Sequence, residues 1–361
     1  MIAEHRIAML RFRVLAASGP VKTAALLLAL AISLPLVAGL LGRLHPAFDA
    51  FSHFRAHLAV LLAMACLLLL ATRQWLHGAA GLLLAIGAFA TTSSLAPFHG
   101  ATPAAASDVA GPRYRLLQLN MRYDHPDPAR VLSLIGRTRP DVVTLNEASP
   151  AWRQSLQAIS AAYPHRLDCP DERSVGSVLI LSRRPFLDMG VCGLGGRFGL
   201  VTVDFGGHAV EIASLHLLWP WPFAQPRQIR ELLPTLGALS DTALLAGDLN
   251  AADWSASVRT IAAAGGFTAV PRLGPTWLVR SAPDALRRWL GLPIDHVLAK
   301  PGVLLVDARR LEGVGSDHLP VLVEFTLRPE QPPGTVAVAG LASPRRPHAA
   351  RTTSAGMPER P

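Results

Sequence analysis

Asn120, Glu147, His216 and the pair Asp248/Asn250 each stand at or just past the end of an apolar, strand-like run: YRLLQLN, DVVTLNE, VEIASLH and ALLAGDLN. Asp295 in PIDHVLA and Asp317-His318 in GSDHLPVLVEF stand just before such runs. Strands of opposite direction in packed sheets would bring all of these sites to one edge. Carboxylates, carboxamides and imidazoles gathered there are what metal-assisted attack on a phosphoester requires. Glu147 beside a cleft suits a hard cation with oxygen ligands, Mg²⁺ before Zn²⁺. In Gly247-Asp248-Leu249-Asn250 two polar side chains, two apart in a turn, can point into one cleft while Gly247 admits close backbone approach. An imidazole at His318 held by the Asp295 carboxylate would be fixed in one tautomer and made a stronger base. Taken singly, each has a plainer role: Glu147 as a helix N-terminal acid, Asp248 as an Asx turn, the histidines as satisfied core residues. Six apt sites in one context favour chemistry.

The elements that must position these residues follow from periodicity and punctuation. The pattern predicts strand 114–120, helix 127–137 opened by Pro126 and Pro128, strand 142–146 and helix 151–162. Strand 177–182 follows, then a hairpin 200–205/209–216 around Gly206-Gly207. Helix 224–239, strand 243–247, helix 254–264 and strands near 294–299, 303–308 and 320–327 complete the order. Hairpins interrupt the strand–helix alternation, so the fold class is α/β with two mixed sheets and helices outside, not one purely parallel sheet. No GxGxxG follows the first strand and no GxxxxGK[ST] occurs, which removes the nucleotide-cradling folds.

The ends of the chain have a different character. Of 361 residues, half are hydrophobic, and the excess sits in the first hundred. Ala24–Leu41 is an unbroken apolar run of 18 residues, about 27 Å as a helix and enough to cross a bilayer. Two further apolar stretches, 58–76 and 78–98, predict a membrane region over 1–98 with about three transmembrane helices. A cleaved signal peptide accounts less well for so many runs. Arg6, Arg11, Arg13 and Lys22 before the first run favour an inside N-terminus; three crossings, the favoured count, then place residues 112–330 outside the cytoplasm, and two would place them inside. Residues 99–112 read as a linker, 113–328 as the catalytic domain, and the Pro- and Arg-rich 329–361 as a disordered tail. The net charge is +9, yet residues 112–330 hold 23 Lys/Arg against 21 Asp/Glu. That near-neutral domain lacks the usual electrostatic footprint of a DNA binder without excluding a nuclease. Three cysteines without a CxxC exclude a zinc ribbon; Cys169 and Cys192 could pair in an oxidising compartment.

The motifs LLQLNMR, PDVVTLNE, SVLILSRRP, IASLHL, LLAGDLNA, PIDHVLA and GSDHLPVLVEF resemble, in order and spacing, those of the endonuclease/exonuclease/phosphatase family, which has the DNase I-like fold. The resemblance covers about residues 113–327 and implies a four-layer sandwich of two mixed sheets flanked by helices. It implies Asn120, Glu147 and Asp317 at the metal, with Mg²⁺ as the cofactor and Mn²⁺ as its substitute. It further implies Asp248 positioning or activating the water, Asn250 and His216 on the scissile phosphate, and His318, oriented by Asp295, as acid/base or stabiliser of the transition state. The preceding helices look like those of a membrane-anchored bacterial subgroup, which implies the cytoplasmic membrane with the catalytic domain on its outer side. Two departures bear on substrate: Asn146 stands where the family usually has Gln, and Arg122 where its abasic-site nucleases place an acid.

These readings lead to an Mg²⁺-dependent phosphoester hydrolase, a phosphodiesterase acting on a phospholipid or other envelope phosphoester. Trp219 and Trp221, in WPWPF just after His216, would form an apolar rim meeting lipid or a stacked base, unless the loop packs into the core. An anchored endo- or exonuclease on DNA or RNA is the rival within the class. A catalytically idle binding module on a membrane anchor is the rival outside it. Nothing in the sequence implies an obligate protein partner.

Overall fold

A computed structural model describes residues 2–92, 111–124, 127–171, 175–270 and 273–329, with side chains from residue 19 onward. The expected tail, nearly all of the linker and Pro126 therefore lie outside the described residues.

Two six-stranded sheets form the core. One has the order β11-β12-β1-β2-β4-β3, built from β1 (Tyr114–Asn120), β2 (Val142–Asn146), β3 (His165–Cys169), β4 (Val178–Ser182), β11 (Val303–Arg310) and β12 (Val321–Leu327). The other has the order β5-β6-β7-β8-β10-β9, built from β5 (Val191–Gly193), β6 (Phe198–Asp204), β7 (Ala209–His216), β8 (Ala243–Asp248), β9 (Thr268–Ala269) and β10 (Asp295–Ala299). Only β1/β2 and β7/β8 pair in parallel, so both sheets are mixed as expected. Alternation along each strand sends one set of apolar side chains between the sheets, among them Leu116, Val142, Ile180, Ile212, Leu244 and Val323. The other set from the first sheet meets α5 (Pro128–Thr138) and α6 (Pro150–Ser155); from the second it meets α7 (Gln225–Ala238) and α8 (Ala256–Gly265). The result is helix, sheet, sheet, helix, the DNase I-like architecture.

Local chemistry sets the boundaries. Asp127 caps α5 through Ala129 N with Pro128 at its start, and Ser255 caps α8 through Val258 N. Gly206 and Gly207, both at positive φ, make the β6/β7 turn. The expected helix over 151–162 is shorter: α6 ends at Ser155 and a 3₁₀ turn, Leu156–Ile159, follows. Among the described residues from 111 on, four strands and helices escaped the sequence pattern: edge strands β3, β5 and β9, and helix α9 (Asp284–Leu290), which buries no residue. A disulfide joins Cys169 on β3 to Cys192 on β5, tying the edge of one sheet to the edge of the other.

Ahead of the sandwich lie α1 (Ile2–Leu40), α2 (Pro46–Ser52), α3 (Arg55–Ala71) and α4 (Trp75–Ala90). Ala25, Leu36, Leu62, Leu69 and Ala85 are among the residues that pack α1, α3 and α4 together. The segment Gly19–Leu40 is long and apolar enough to cross a bilayer alone. Helix α3 reaches that length only together with α2, from which it bends by 68°, and α4 has 16 residues. The helices within the expected spans 58–76 and 78–98 run to Ala71 and Ala90, and residues 93–98 lie outside the described residues. Arg55 ties the bundle, donating to Gly39 O at 2.7 Å and to Thr91 Oγ1 at 3.1 Å.

Candidate active site

Register builds the site. Asp248, the last residue of β8, is paired with His216 at the end of β7 and with Asp295 at the start of β10. Three chemical side chains thus share one row across the second sheet. In the first sheet the equivalent row pairs Asn120 with Asn146, and Glu147 follows. The strand-edge reading of the sequence therefore holds in space: Asn120, Glu147, His216, Asp248, Asn250, Asp295, Asp317 and His318 meet at one end of the sandwich.

Hydrogen bonds join the two rows. Asn120 Nδ2 donates to Glu147 Oε1 at 3.1 Å and to Asp248 Oδ2 at 3.0 Å. Its Oδ1 accepts from Arg122 N, so the amide oxygen is turned to the backbone. His318 Nδ1 lies 2.8 Å from Asp295 Oδ2, the dyad expected from sequence. The Nε2 atoms of His216 and His318 approach Asp248 Oδ2 at 3.7 and 3.8 Å, within ion-pair range but beyond a hydrogen bond. Asn250 N donates to Asp248 Oδ1 at 2.8 Å, and its side-chain amide donates to Leu217 O. Asp317 Oδ2 accepts from Trp277 Nε1 at 3.3 Å. Arg122, Glu147 and Asn250 hold positive φ of 60°, 59° and 46°, backbone strain gathered at this edge. Gly247 is required by space: a Cβ there would stand 1.8 Å from Leu215 O.

Several positioning residues went unread in the sequence. Thr144 Oγ1 donates to Gln118 Oε1, Gln118 Nε2 donates to Asn146 Oδ1, and that same oxygen accepts from Asp248 N at 2.9 Å. This buried chain runs from β1 and β2 into the other sheet and fixes the Asp248 backbone. Thr276 Oγ1 accepts from Asp295 N, and Ser316 Oγ donates to Asn120 O while accepting from His318 N. The signal was available: Gln118 and Thr144 are polar residues inside otherwise apolar strands. Gln225 Nε2 holds the carbonyls of Leu249 and Asn250.

The loop after Asn250 has a second set of partners, from the apolar helices. Asp49 on α2 accepts from Ala256 N at 2.7 Å, Ser257 N at 2.9 Å and Ser257 Oγ at 2.8 Å. Ala252 N donates to His53 Nδ1, and Trp254 Nε1 donates to Ser52 O. Burial holds the His53 pKa down at about 4, which keeps its ring a neutral acceptor. Trp219, Trp221 and Phe223 are all exposed, so the loop after His216 is a surface feature and not core packing.

Burial and charge pull the groups apart. Burial lowers the His318 pKa, but the Asp295 and Asp248 charges outweigh it and raise it to about 10. Burial works against the Asp295 carboxylate too, yet the His318 charge and hydrogen bond leave it below its ordinary value. Asp248 moves the other way, raised chiefly by burial. Burial, then the nearby Arg197 and His318, hold His216 down at about 3. Burial raises the Glu147 carboxyl against the hydrogen bonds from Tyr123 N and Asn120.

Two groups of side chains could hold a metal. Ligand atoms of Asp248, Asp295 and His318 lie within 4.8 Å of one another. The Asp295–His318 hydrogen bond occupies that set, which suits proton chemistry better. Glu147 fits a cation: among the described residues no Lys or Arg pairs with it, Asp317 adds a second negative charge nearby, and its two oxygens accept only from neutral donors. The His318 charge also acts on Glu147, yet an oxygen-rich anionic corner suits Mg²⁺ or Mn²⁺.

Among solved structures, an endonuclease/exonuclease/phosphatase from Beutenbergia cavernae is 23% identical, with 60% of this chain and 72% of that one covered at a TM-score of 0.49. TDP2 of D. rerio complexed with a single-strand DNA product is 20% identical over 60% of this chain and 100% of that one, at 0.49. Sphingomyelinase C from Streptomyces griseocarneus is 19% identical over 59% and 99%, at 0.44. No curated protein sequence matches significantly. The Endonuclease/Exonuclease/phosphatase family model matches residues 117–318, and the chain belongs to that family.

Proposed function

We propose that this family member is a membrane-anchored, Mg²⁺-dependent phosphodiesterase acting on a phospholipid or other envelope phosphoester. The observation that carries the catalytic part is the row His216–Asp248–Asp295 with His318 locked onto Asp295. Asp248, its pKa raised by burial, takes a proton from the attacking water as the water oxygen bonds to phosphorus and the bond from phosphorus to the leaving oxygen breaks, that oxygen taking its proton from solvent. His318 stays charged across the neutral range and faces the charge that grows on the phosphoryl oxygens. Of the two roles expected for it, this favours stabiliser of the transition state over base for water. His216, neutral, and the second amide proton of Asn250 donate to the same oxygens. Glu147, with Asn120 and Asp317 beside it, would hold the ion, which supplies charge neutralisation at a non-bridging oxygen and at the leaving group.

The lipid part rests on different observations. The exposed Trp219, Trp221 and Phe223 follow His216 directly. Helix α2 and the turn after it, which lie between α1 and α3 in the proposed membrane region over 1–98, are bonded through Asp49, Ser52 and His53 to the loop that follows Asn250. The near-neutral charge of the domain over 113–328 lacks the net basicity usual for a protein that binds a polyanion. The Cys169–Cys192 disulfide supports an oxidising compartment, hence the outer side of the cytoplasmic membrane.

The test is turnover by the full chain in detergent, with Mg²⁺, with EDTA, and with Glu147→Gln. Expected is EDTA-sensitive hydrolysis that Glu147→Gln shifts to a higher Mg²⁺ requirement. Hydrolysis unaffected by EDTA and by the substitution would overturn the reading.

A further inference from the structure

Helix α9 is bare. Leu286 is 50% exposed, Trp289 78% and Leu290 46%, and Arg287 and Arg288 lie between them. A seven-residue helix gains little from its own hydrogen bonds, so such a face needs a contact outside the protein. The helix is also pinned to the apolar bundle: His57 Nε2 on α3 lies 2.8 Å from Trp289 O. Beside that contact a cavity of about 440 Å³ opens between α3, α4 and the sandwich, lined by Ala56, Phe89, Trp254 and Trp289, and by Arg288 and Arg310. Its size is that of a small-molecule site.

The two arginines lack carboxylate partners among the described residues. Asp284 pairs with Arg287 and Asp307 with Arg309, which takes up the acids nearest in sequence. Arg310 donates to Pro275 O and lies near enough to Arg288 that, after burial, their repulsion holds its pKa below the ordinary value. Both also line an adjoining cavity of about 380 Å³ that includes Glu312, and no ion pair joins that acid to either. Two like charges at the mouth of an apolar cavity fit a ligand anionic at one end and apolar at the other. The position adjoins the catalytic row: Leu292, just after α9, pairs with Trp277, which pairs in turn with His318.

We propose that this cavity binds an anionic phospholipid of the bilayer, its phosphate between Arg288 and Arg310 and an acyl chain along Phe89 and Trp254. Trp289 sits at the water–lipid boundary, where tryptophan is favoured. The proposal rests on reading α1, α3 and α4 as embedded in the membrane. It does not require the bound lipid to be the substrate.

The test uses the full chain in phosphatidylcholine nanodiscs, with tryptophan emission quenched by brominated phosphatidylglycerol or by brominated phosphatidylcholine. Recovery of the chain in the disc fraction tests the membrane reading by itself, and a chain that stays outside the discs refutes both. Expected is quenching by the anionic lipid at a lower mole fraction than by the zwitterionic one. Each arginine near an anionic surface strengthens binding about fivefold, so Arg288→Gln should raise the midpoint about fivefold and Arg288→Gln/Arg310→Gln by tenfold or more. Arg288 is exposed, so its substitution leaves the fold intact. Equal quenching by the two lipids, or variants that quench like the wild type, would overturn the site.

Discussion

Asp248 and His318 face each other across 3.8 Å with opposite demands from their surroundings. Burial makes the Asp248 carboxyl keep a proton longer than usual, whereas two carboxylates make the His318 imidazole keep one up to a pKa of about 10. Replacing Asp248 with Ala or His318 with Gln should lower kcat by about a thousandfold, within the range for a proton-transfer group and for a group that stabilises transition-state charge. Steady-state turnover of variants shown to be folded by a cooperative melting transition checks it. Asn146→Ala, which frees the Asp248 backbone, should cost about ten- to a hundredfold in kcat with KM nearly unchanged, because small misplacements of a reacting group are expensive. The histidines also write a pH signature on stability. His216 is held at about 3 in the fold against 6.5 ordinarily, so the unfolded chain binds the extra proton and stability falls as pH drops from 6.5 toward 3. His318 has the opposite sign: its contribution is complete below 6.5 and is lost as pH rises toward 10. In EDTA the melting temperature should therefore fall on both sides of pH 6.5, and His216→Asn should flatten the acid side.

At the scale of elements, the loop after Asn250 is held from two directions. Gln225 on α7 holds its carbonyls, while Asp49 and His53, from the helices ahead of the sandwich, hold its amides. Asp49 also serves as a capping carboxylate for α8, so Asp49→Ala should cost about 1–3 kcal/mol locally. Hydrogen exchange at Ala256 and Ser257 should quicken, and unchanged exchange there would contradict the role. The same geometry explains what the sequence could and could not reveal. Strands β1, β2, β7, β8, β10 and β12 are buried and periodic, so their ends, and the site residues on them, were legible. Strands β3, β5 and β9 are short edges with mixed polarity, and α9 buries no residue, so no periodicity marked them. Helix α2 was missed because Asp49, Ser52 and His53 are buried for bonds to residues some 200 positions away. The Gln118–Asn146–Asp248 chain was hidden for the same reason, since it crosses between sheets.

Over the whole molecule, two linkages make the sandwich and its surroundings act together. The Cys169–Cys192 bridge closes a loop of 23 residues between the edges of the two sheets. Its removal by Cys169→Ser/Cys192→Ser should cost about 2–4 kcal/mol, read as a lower denaturant midpoint. The other linkage joins α2 and the turn after it to the catalytic loop, and on the proposed membrane reading it would bring the reaction close to the bilayer. The most direct measurement is Mg²⁺-dependent hydrolysis by the full chain, scored in parallel on phospholipid vesicles and plasmid DNA, with His318→Gln as the control. Release of a phosphorylated headgroup that EDTA and His318→Gln both abolish, without nicking of the plasmid, is the expected result. Nicking of DNA without headgroup release would contradict it and make the protein an anchored nuclease.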